Sequence, residues 1–275
     1  MDTPLFKTYY TNTGKKLGIE LPEDIFSRKN SIYEVIKVVY GIPMFYEEHE
    51  KRMIQSCKLN DFPIPDLSLI KTTIKELINT TGYINGNVKL IYSPQSKNPE
   101  DIFIYFIPHF YPPKELYEKG VRTVLIEKER INPQSKTVDM GYKNSVNDII
   151  NSSKAFEGLL VNRHGQITEG SRSNVFFIKD DIVYTAPDQS VLQGITRKML
   201  LFVCNQLHQN IQFEFITKDQ LTDIDAAFIT GTSIDALPIR EINNHQLDVN
   251  NSILKKIIIA FKQLATAYIL NEKSF

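Results

Sequence analysis

Cysteine is nearly absent: Cys57 and Cys204 are the only two in 275 residues. They stand far apart with no metal-ligand spacing, which argues against a disulfide framework and a cysteine-based metal site and suits a reducing compartment. Net charge is absent too, because 32 Lys plus Arg balance 32 Asp plus Glu. No basic field exists to draw in nucleic acid or anionic lipid. Long apolar runs are also missing. Stretches such as Ile257 to Phe261 are far too short to span a bilayer, and Met1 to Lys7 has no apolar core of signal-peptide length. Neither internal repeats nor low-complexity tracts are seen. The expectation is a soluble cytoplasmic protein without nucleic-acid, membrane or metal partners.

What remains is ordinary globular composition, 42% apolar and 23% charged, in a chain long enough for a sizeable core and two domains. Phe6 to Tyr10, an Asn12-Thr13-Gly14 turn and Lys16 to Leu21 read as a hairpin within residues 4–22. Ile32 to Tyr40 alternates as a strand, and Gly41-Ile42-Pro43 turns the chain into Met44 to Tyr46. Helical spacing follows over Glu47 to Leu59 and Leu67 to Thr81, the latter stopped by Gly82. Strands at Val88 to Tyr92 and Ile102 to Pro108 complete a small α+β domain, residues 1–110. Residues 111–120, opening Tyr111-Pro112-Pro113, read as a stiff linker. A larger domain, 121–275, starts with a strand at Val121 to Glu127 and an irregular loop to Lys143, then a helix from Ser145 to Phe156. Two hairpins follow, turning at His164-Gly165 and Asp180-Asp181. Helices are expected at Gly194 to Gln209 and Asn251 to Leu270, with strands at Ile211 to Ile216 and Ala226 to Ile229.

Three features in the second domain converge on one chemistry. Lys143, flanked by Tyr142 and the apolar Val146, Ile149 and Ile150, offers an amine for a carbonyl. Glu169 ends a strand beside Gly170, where it offers a carboxylate to a ring nitrogen and keeps that nitrogen protonated. Gly194-Ile195-Thr196 opens a helix whose first amides, with the Thr196 hydroxyl, suit a phosphate. Arg52, in the turn His49-Glu50-Lys51-Arg52, offers the same phosphate a charge-assisted contact. Taken singly, each has a plainer reading: a solvated lysine, a strand-end carboxylate, a locally capped helix start, a surface arginine. Together they describe what pyridoxal phosphate (PLP) requires.

The motifs carry a resemblance. Thr168-Glu169-Gly170-Ser171-Arg172-Ser173-Asn174-Val175-Phe176 resembles the Glu-Gly-x-x-x-Asn-x-Phe signature of the class IV aminotransferases, the fold-type IV PLP enzymes. Tyr184-Thr185-Ala186-Pro187 through Leu192-Gln193-Gly194-Ile195-Thr196-Arg197 resembles their second signature. Tyr33 to Val38, the Phe45…Glu48-His49…Arg52 pattern and Gly231-Thr232-Ser233 extend the likeness over roughly residues 31–240. The resemblance implies a two-domain α/β (α+β) fold like D-amino-acid aminotransferase, with the cofactor in an interdomain cleft and a homodimeric assembly. It makes Lys143 the Schiff-base lysine and proton carrier, and Glu169 the partner of the pyridine nitrogen. Arg52, Ile195, Thr196 and Thr232 become phosphate contacts, Leu192 packs on the ring, and Tyr33 faces substrate.

Departures are present as well. No arginine occurs between Arg52 and Arg122, so the family's small-domain grip on the substrate carboxylate is missing. Asp148 stands where branched-chain enzymes have tyrosine. Arg172, within the Glu169 turn, is the candidate carboxylate clamp, with Ser233 and Thr232 amides as the substitute. Transamination between a small amino acid and a 2-oxo acid is the implied activity. A lyase of the aminodeoxychorismate type, releasing pyruvate, and a PLP-binding protein without turnover remain open beside it.

Overall fold

The computed structural model describes residues 4–6, 8–17, 31–94, 100–130, 133–137 and 140–271, with backbone alone at 140, 142 and 143. It divides into two compact units: 1–110 with 135–140 and 267–275, and 111–134 with 141–266.

The first unit is a six-stranded sheet backed by two helices. Strands β1 (Thr8–Thr11), β2 (Gly14–Leu17), β3 (Ile32–Val39) and β4 (Ile42–Pro43) precede helices α1 (Tyr46–Leu59) and α2 (Leu67–Thr81). Strands β5 (Gly86–Tyr92) and β6 (Ile102–Ile107) follow, and the order across the sheet is β2-β1-β6-β5-β3-β4. The expected extension of β2 from residue 18 to 21 lies outside the described residues. Helix α2 has the expected bounds for local reasons: the Asp66 side chain accepts from Leu69 N–H at 3.0 Å, and Gly82 ends it at φ 64°. Along β3 alternate residues are buried. Ile32, Ile36 and Val38 pack with Met53 and Cys57 of α1 and with Ile70, Ile74 and Leu77 of α2. The opposite sheet face gathers Tyr9, Ile91, Phe103 and Tyr105, with Tyr33 and Val35 packed against them.

The second unit adds α3 (Lys114–Lys119), β7 (Val121–Glu127), α4 (Met140–Ser152), β8 (Glu157–Val161), β9 (Gln166–Gly170), β10 (Asn174–Lys179) and β11 (Ile182–Tyr184). Next come α5 (Ile195–Gln206), β12 (Ile211–Gln212), β13 (Ile216–Thr217), β14 (Ala226–Gly231), β15 (Asp235–Ile242), β16 (His245–Gln246) and α6 (Ser252–Asn271). Its sheet runs β12-β11-β10-β14-β15-β7-β8-β9-β13, with β16 on β15.

Three expectations change, and one strand is added. Residues 114–119, expected to be linker, form a short helix after Pro113, and Tyr117 ties it to the Ile234 carbonyl at 3.1 Å. Helix α4 begins at Met140 rather than Ser145, so Lys143 stands within a helix and not ahead of one. The single strand expected over 211–216 is two strands at opposite ends of the sheet path, one on β11 and the other on β9. Their short connection draws the two edges toward closure, which leaves β9 and β10 meeting at a corner. Strand β15 was not anticipated.

Candidate active site

Glu169 is the last residue but one of β9 at that corner, and its side chain is 3% exposed. Residues 171–173 turn the chain into β10, with Gly170 N–H donating to the Ser173 carbonyl at 2.8 Å. A Cβ on Gly170 would stand 2.0 Å from Ser173 Oγ, so the turn admits only glycine without rearrangement. Glu157, buried on β8, fastens the turn from below. Its Oε1 accepts from Gly158 N–H at 2.8 Å and from Ser171 Oγ at 2.5 Å, and its Oε2 accepts from Ser173 Oγ at 3.1 Å.

Both polar groups of Leu192 are taken by this corner. Its N–H donates to Glu169 Oε2 at 3.0 Å, and its carbonyl accepts from Asn174 Nδ2 at 2.8 Å. Asn174 Nδ2 also lies 3.4 Å from Glu169 Oε2. The Leu192-Gln193-Gly194 segment is thereby set, and Gly194 caps α5 with an extended backbone. A Cβ there would reach within 2.3 Å of Asn174 Oδ1. Helix α5 then opens with Ile195 and Thr196, both buried, so the first turn, where backbone N–H groups lack intrahelical partners, starts at the corner. Arg197 anchors the preceding loop, donating to Asp188 Oδ1 at 2.7 Å and to the Ala186 carbonyl at 2.9 Å.

The register of β10 on β14 pairs Asn174 with Thr230, which brings the Gly231-Thr232-Ser233 turn alongside. The Arg172 carbonyl lies 3.7 Å from where a Cβ on Gly231 would stand. One corner of the second unit thus collects Glu169, Arg172, Leu192, Ile195, Thr196, Thr232 and Ser233. Arg172 itself is 57% exposed, donates to the Phe156 carbonyl at 3.3 Å and lies 3.9 Å from Glu157. Because β9 ends at Gly170, strand alternation no longer governs where Arg172 points.

Burial pushes the Glu169 carboxyl up to about 7, against the lowering effects of Arg130, the Leu192 N–H and Arg197. Arg130 Nη1 donates to Glu169 Oε1 at 3.2 Å. Arg130 and Asn174 join the site beyond the residues the sequence marks as functional. The signature contains Asn174 and pointed toward it, whereas nothing local marks Arg130.

In the first unit, Glu34 falls on the apolar face of β3, directed at α1. His49 and Arg52, three residues apart and so on one helix face, meet it there. Arg52 Nε donates to Oε1 at 2.8 Å, Arg52 Nη2 donates to Oε2, and His49 Nδ1 is 2.7 Å from Oε2. Burial opposes ionisation of Glu34, but Arg52, Lys136 and the hydrogen bonds from Arg52 and His49 outweigh it and hold the carboxyl well below its usual range. Burial lowers the His49 pKa despite the raising effect of Glu34, so a neutral ring donates its Nδ1–H to an acceptor-only carboxylate. Arg52 is therefore buried rather than solvated. Tyr33 lies on the other sheet face, with Lys89 Nζ and Lys136 Nζ each 5.2 Å from its ring centroid.

Among the described residues, no group of three His, Cys, Asp or Glu is placed to hold a metal ion, and no helix is long and apolar enough to cross a membrane. Both cysteines are free and buried, and burial pushes Cys57 to about 11 and Cys204 to about 12.

A two-unit α/β chain of this topology has solved counterparts. The branched-chain amino acid aminotransferase of Escherichia coli superposes with a TM-score of 0.80 at 19% identity, covering 94% of this chain and 94% of that one. A structure from Legionella pneumophila subsp. pneumophila str. Philadelphia 1, provisionally assigned as a 4-amino-4-deoxychorismate lyase, matches with a TM-score of 0.75 at 25% identity, over 87% and 92% of the two chains. The fold is that of the fold-type IV aminotransferases. Sequence narrows it further: D-alanine aminotransferase of Bacillus licheniformis is 29% identical over 246 residues, 84% of this chain and 85% of that one. The family model for amino-transferase class IV matches residues 31–242, and the chain belongs to that family, whose members are PLP-dependent transaminases, with lyases also among them.

Proposed function

We propose that this protein transfers an amino group between a small amino acid and a 2-oxo acid, with PLP as cofactor and Lys143 as the catalytic residue. The observation that carries the reading is the acceptor count at Glu169. A carboxylate offers about four acceptor positions, and among the described residues three donors occupy them: Arg130 on Oε1, and Leu192 N–H and Asn174 on Oε2. Among the described residues no donor takes the second position on Oε1, which is where a ring N–H would be accepted. The site fits the cofactor on that count and on the glycine-tight packing that sets the start of α5 beside the carboxylate.

When bound, PLP supplies an electron sink for the carbanion at the substrate carbon. Glu169 accepts the ring N–H and keeps the proton on that nitrogen. The α5 amides at Ile195 and Thr196, the Thr196 hydroxyl and Thr232 take the phosphate, and Arg52 adds charge to it. The Leu192 side chain packs on the ring. The Lys143 amine holds the cofactor and carries a proton to and from the substrate carbon. Tyr33, Arg172 and Ser233 are the proposed substrate contacts, with Arg172 the cation for its acid group. A homodimer is the proposed assembly.

A second reading, pyruvate release by an aminodeoxychorismate-type lyase, draws on the likeness to the Legionella structure and on the absence of arginine between Arg52 and Arg122. The deciding experiment loads the protein with PLP and follows its visible spectrum on adding a panel of L- and D-amino acids. Conversion with a 2-oxo acid product supports the transaminase. Pyruvate from aminodeoxychorismate supports the lyase instead, and a spectrum inert to the panel together with no pyruvate release overturns both.

A further inference from the structure

We infer that Arg130, through its contact with Glu169 Oε1, is the positioning residue that favours the ionised form of Glu169 and aims it, and so sets how well that carboxylate accepts a ring N–H. The inference rests on the PLP reading only in its last clause.

Arg130 is not held near Glu169 by chance. It lies just past β7, in a segment pinned by Lys128 N–H donating to the Val161 carbonyl at 3.0 Å and by Arg163 N–H donating to Glu129 Oε1 at 3.2 Å. Lys128 Nζ also donates to Ser145 Oγ. These contacts lay residues 128–130 past the end of β8, so that Arg130 reaches the carboxylate on β9. The pair is asymmetric in solvent: the arginine side chain is 21% exposed, the glutamate 3%. The guanidinium therefore keeps part of its hydration while neutralising a carboxylate that has lost nearly all of its own.

No other described cation makes this contact. Arg197 acts on Glu169 through space alone, since its hydrogen bonds go to Asp188 and Ala186. The remaining two donors, Leu192 N–H and Asn174, are neutral and both sit on Oε2. Without Arg130, Oε1 loses its donor and the ionised form loses its contacting counter-charge. Burial then favours the acid, which presents an O–H where a ring N–H needs an acceptor. With burial raising the group to about 7 even with Arg130 in place, both forms are present at neutral pH, and loss of Arg130 tips the balance toward the acid.

The test starts with the cofactor-free protein. Glutamate carbonyl-13C labelling gives the Glu169 titration by NMR, assigned by the resonance missing in Glu169→Gln. Arg130→Met should move the midpoint upward, and Arg130→Lys should return most of the shift. An unmoved midpoint in Arg130→Met overturns the inference. Should Arg130→Met fail to fold, Arg130→Gln replaces it, with circular dichroism as the check. Affinities for PLP and for its 1-deaza analogue, which lacks the ring nitrogen, are then compared at pH 7.5. PLP should weaken by up to about tenfold for each pH unit the midpoint moves, while the analogue stays unchanged. A moved midpoint with equal weakening of both ligands upholds the Arg130–Glu169 coupling and overturns the ring-nitrogen role of Glu169. Equal weakening with no movement means that Arg130 is structural only, and the inference falls.

Discussion

Arg52 and Glu34 form a two-point ion pair between α1 and β3, with Arg52 Nε on Oε1 at 2.8 Å and Nη2 on Oε2. Both side chains are buried, 7% and 0% exposed. Glu34→Gln removes the charge that Arg52 was buried against and should cost about 3–5 kcal/mol, the usual penalty for breaking a buried pair from one side. Because the folded-state pKa of Glu34 is lowered, its contribution is full above the unfolded value and is lost as pH falls toward the folded one. Urea unfolding should show the gap between wild type and Glu34→Gln at neutral pH, narrowing in acid below about pH 4.5. A gap that widens in acid would contradict the pairing.

Arg52 is also a proposed phosphate contact, and two measurements separate the roles. Arg52→Ala should weaken PLP binding by about 1.5–3 kcal/mol, the value of a charged hydrogen bond, and should also destabilise the fold by stranding Glu34. The double variant Arg52→Ala with Glu34→Gln should regain part of the stability but none of the affinity. Recovered affinity would assign Arg52 to the fold alone.

Lys143→Ala should abolish the visible band of the lysine-bound cofactor while circular dichroism stays that of the wild type. Borohydride reduction of the loaded wild type, followed by peptide mapping, should place the pyridoxyl group on Lys143. Its recovery on another lysine overturns the assignment.

Glu169→Gln should bind PLP yet lose most turnover, because an amide does not hold a proton on the ring nitrogen. Burial sets the Glu169 carboxyl near 7, so its ionised form grows as pH rises through that value. Affinity of the cofactor-free protein for PLP should therefore fall as pH drops below about 7, and Glu169→Gln should lack that dependence. Full activity in the variant would reduce Glu169 to a strand-end charge.

Arg172→Met tests the proposed carboxylate clamp. The side chain is 57% exposed, so stability should change by no more than about 0.5 kcal/mol. The KM for the amino donor should rise steeply and PLP affinity should hold. Unaltered donor kinetics would move the assignment to the Thr232-Ser233 amides.

The sequence by itself determined what local chemistry can encode. Asp66 and Gly82 bound α2 because the Asp66 side chain accepts a first-turn N–H and Gly82 takes the left-handed conformation, both local matters. Alternation drew β3, and the run from Glu169 to Arg197 named the family because turn glycines and functional side chains lie at fixed short spacings. Tertiary structure decided the rest. Strand β15 went unread because Pro238 interrupts its pattern, yet pairing with β7 begins only at Ile239, just past the missing N–H. For Arg52 the sequence offers a phosphate contact or a plain surface arginine, and only tertiary structure sets it against Glu34, a contact between residues 18 apart. Arg130 carries no signal at all, since its partner lies 39 residues away and across β8. Burial of Glu169, and with it the pKa near 7, arises when a closing sheet turns a corner, and no single segment records that event.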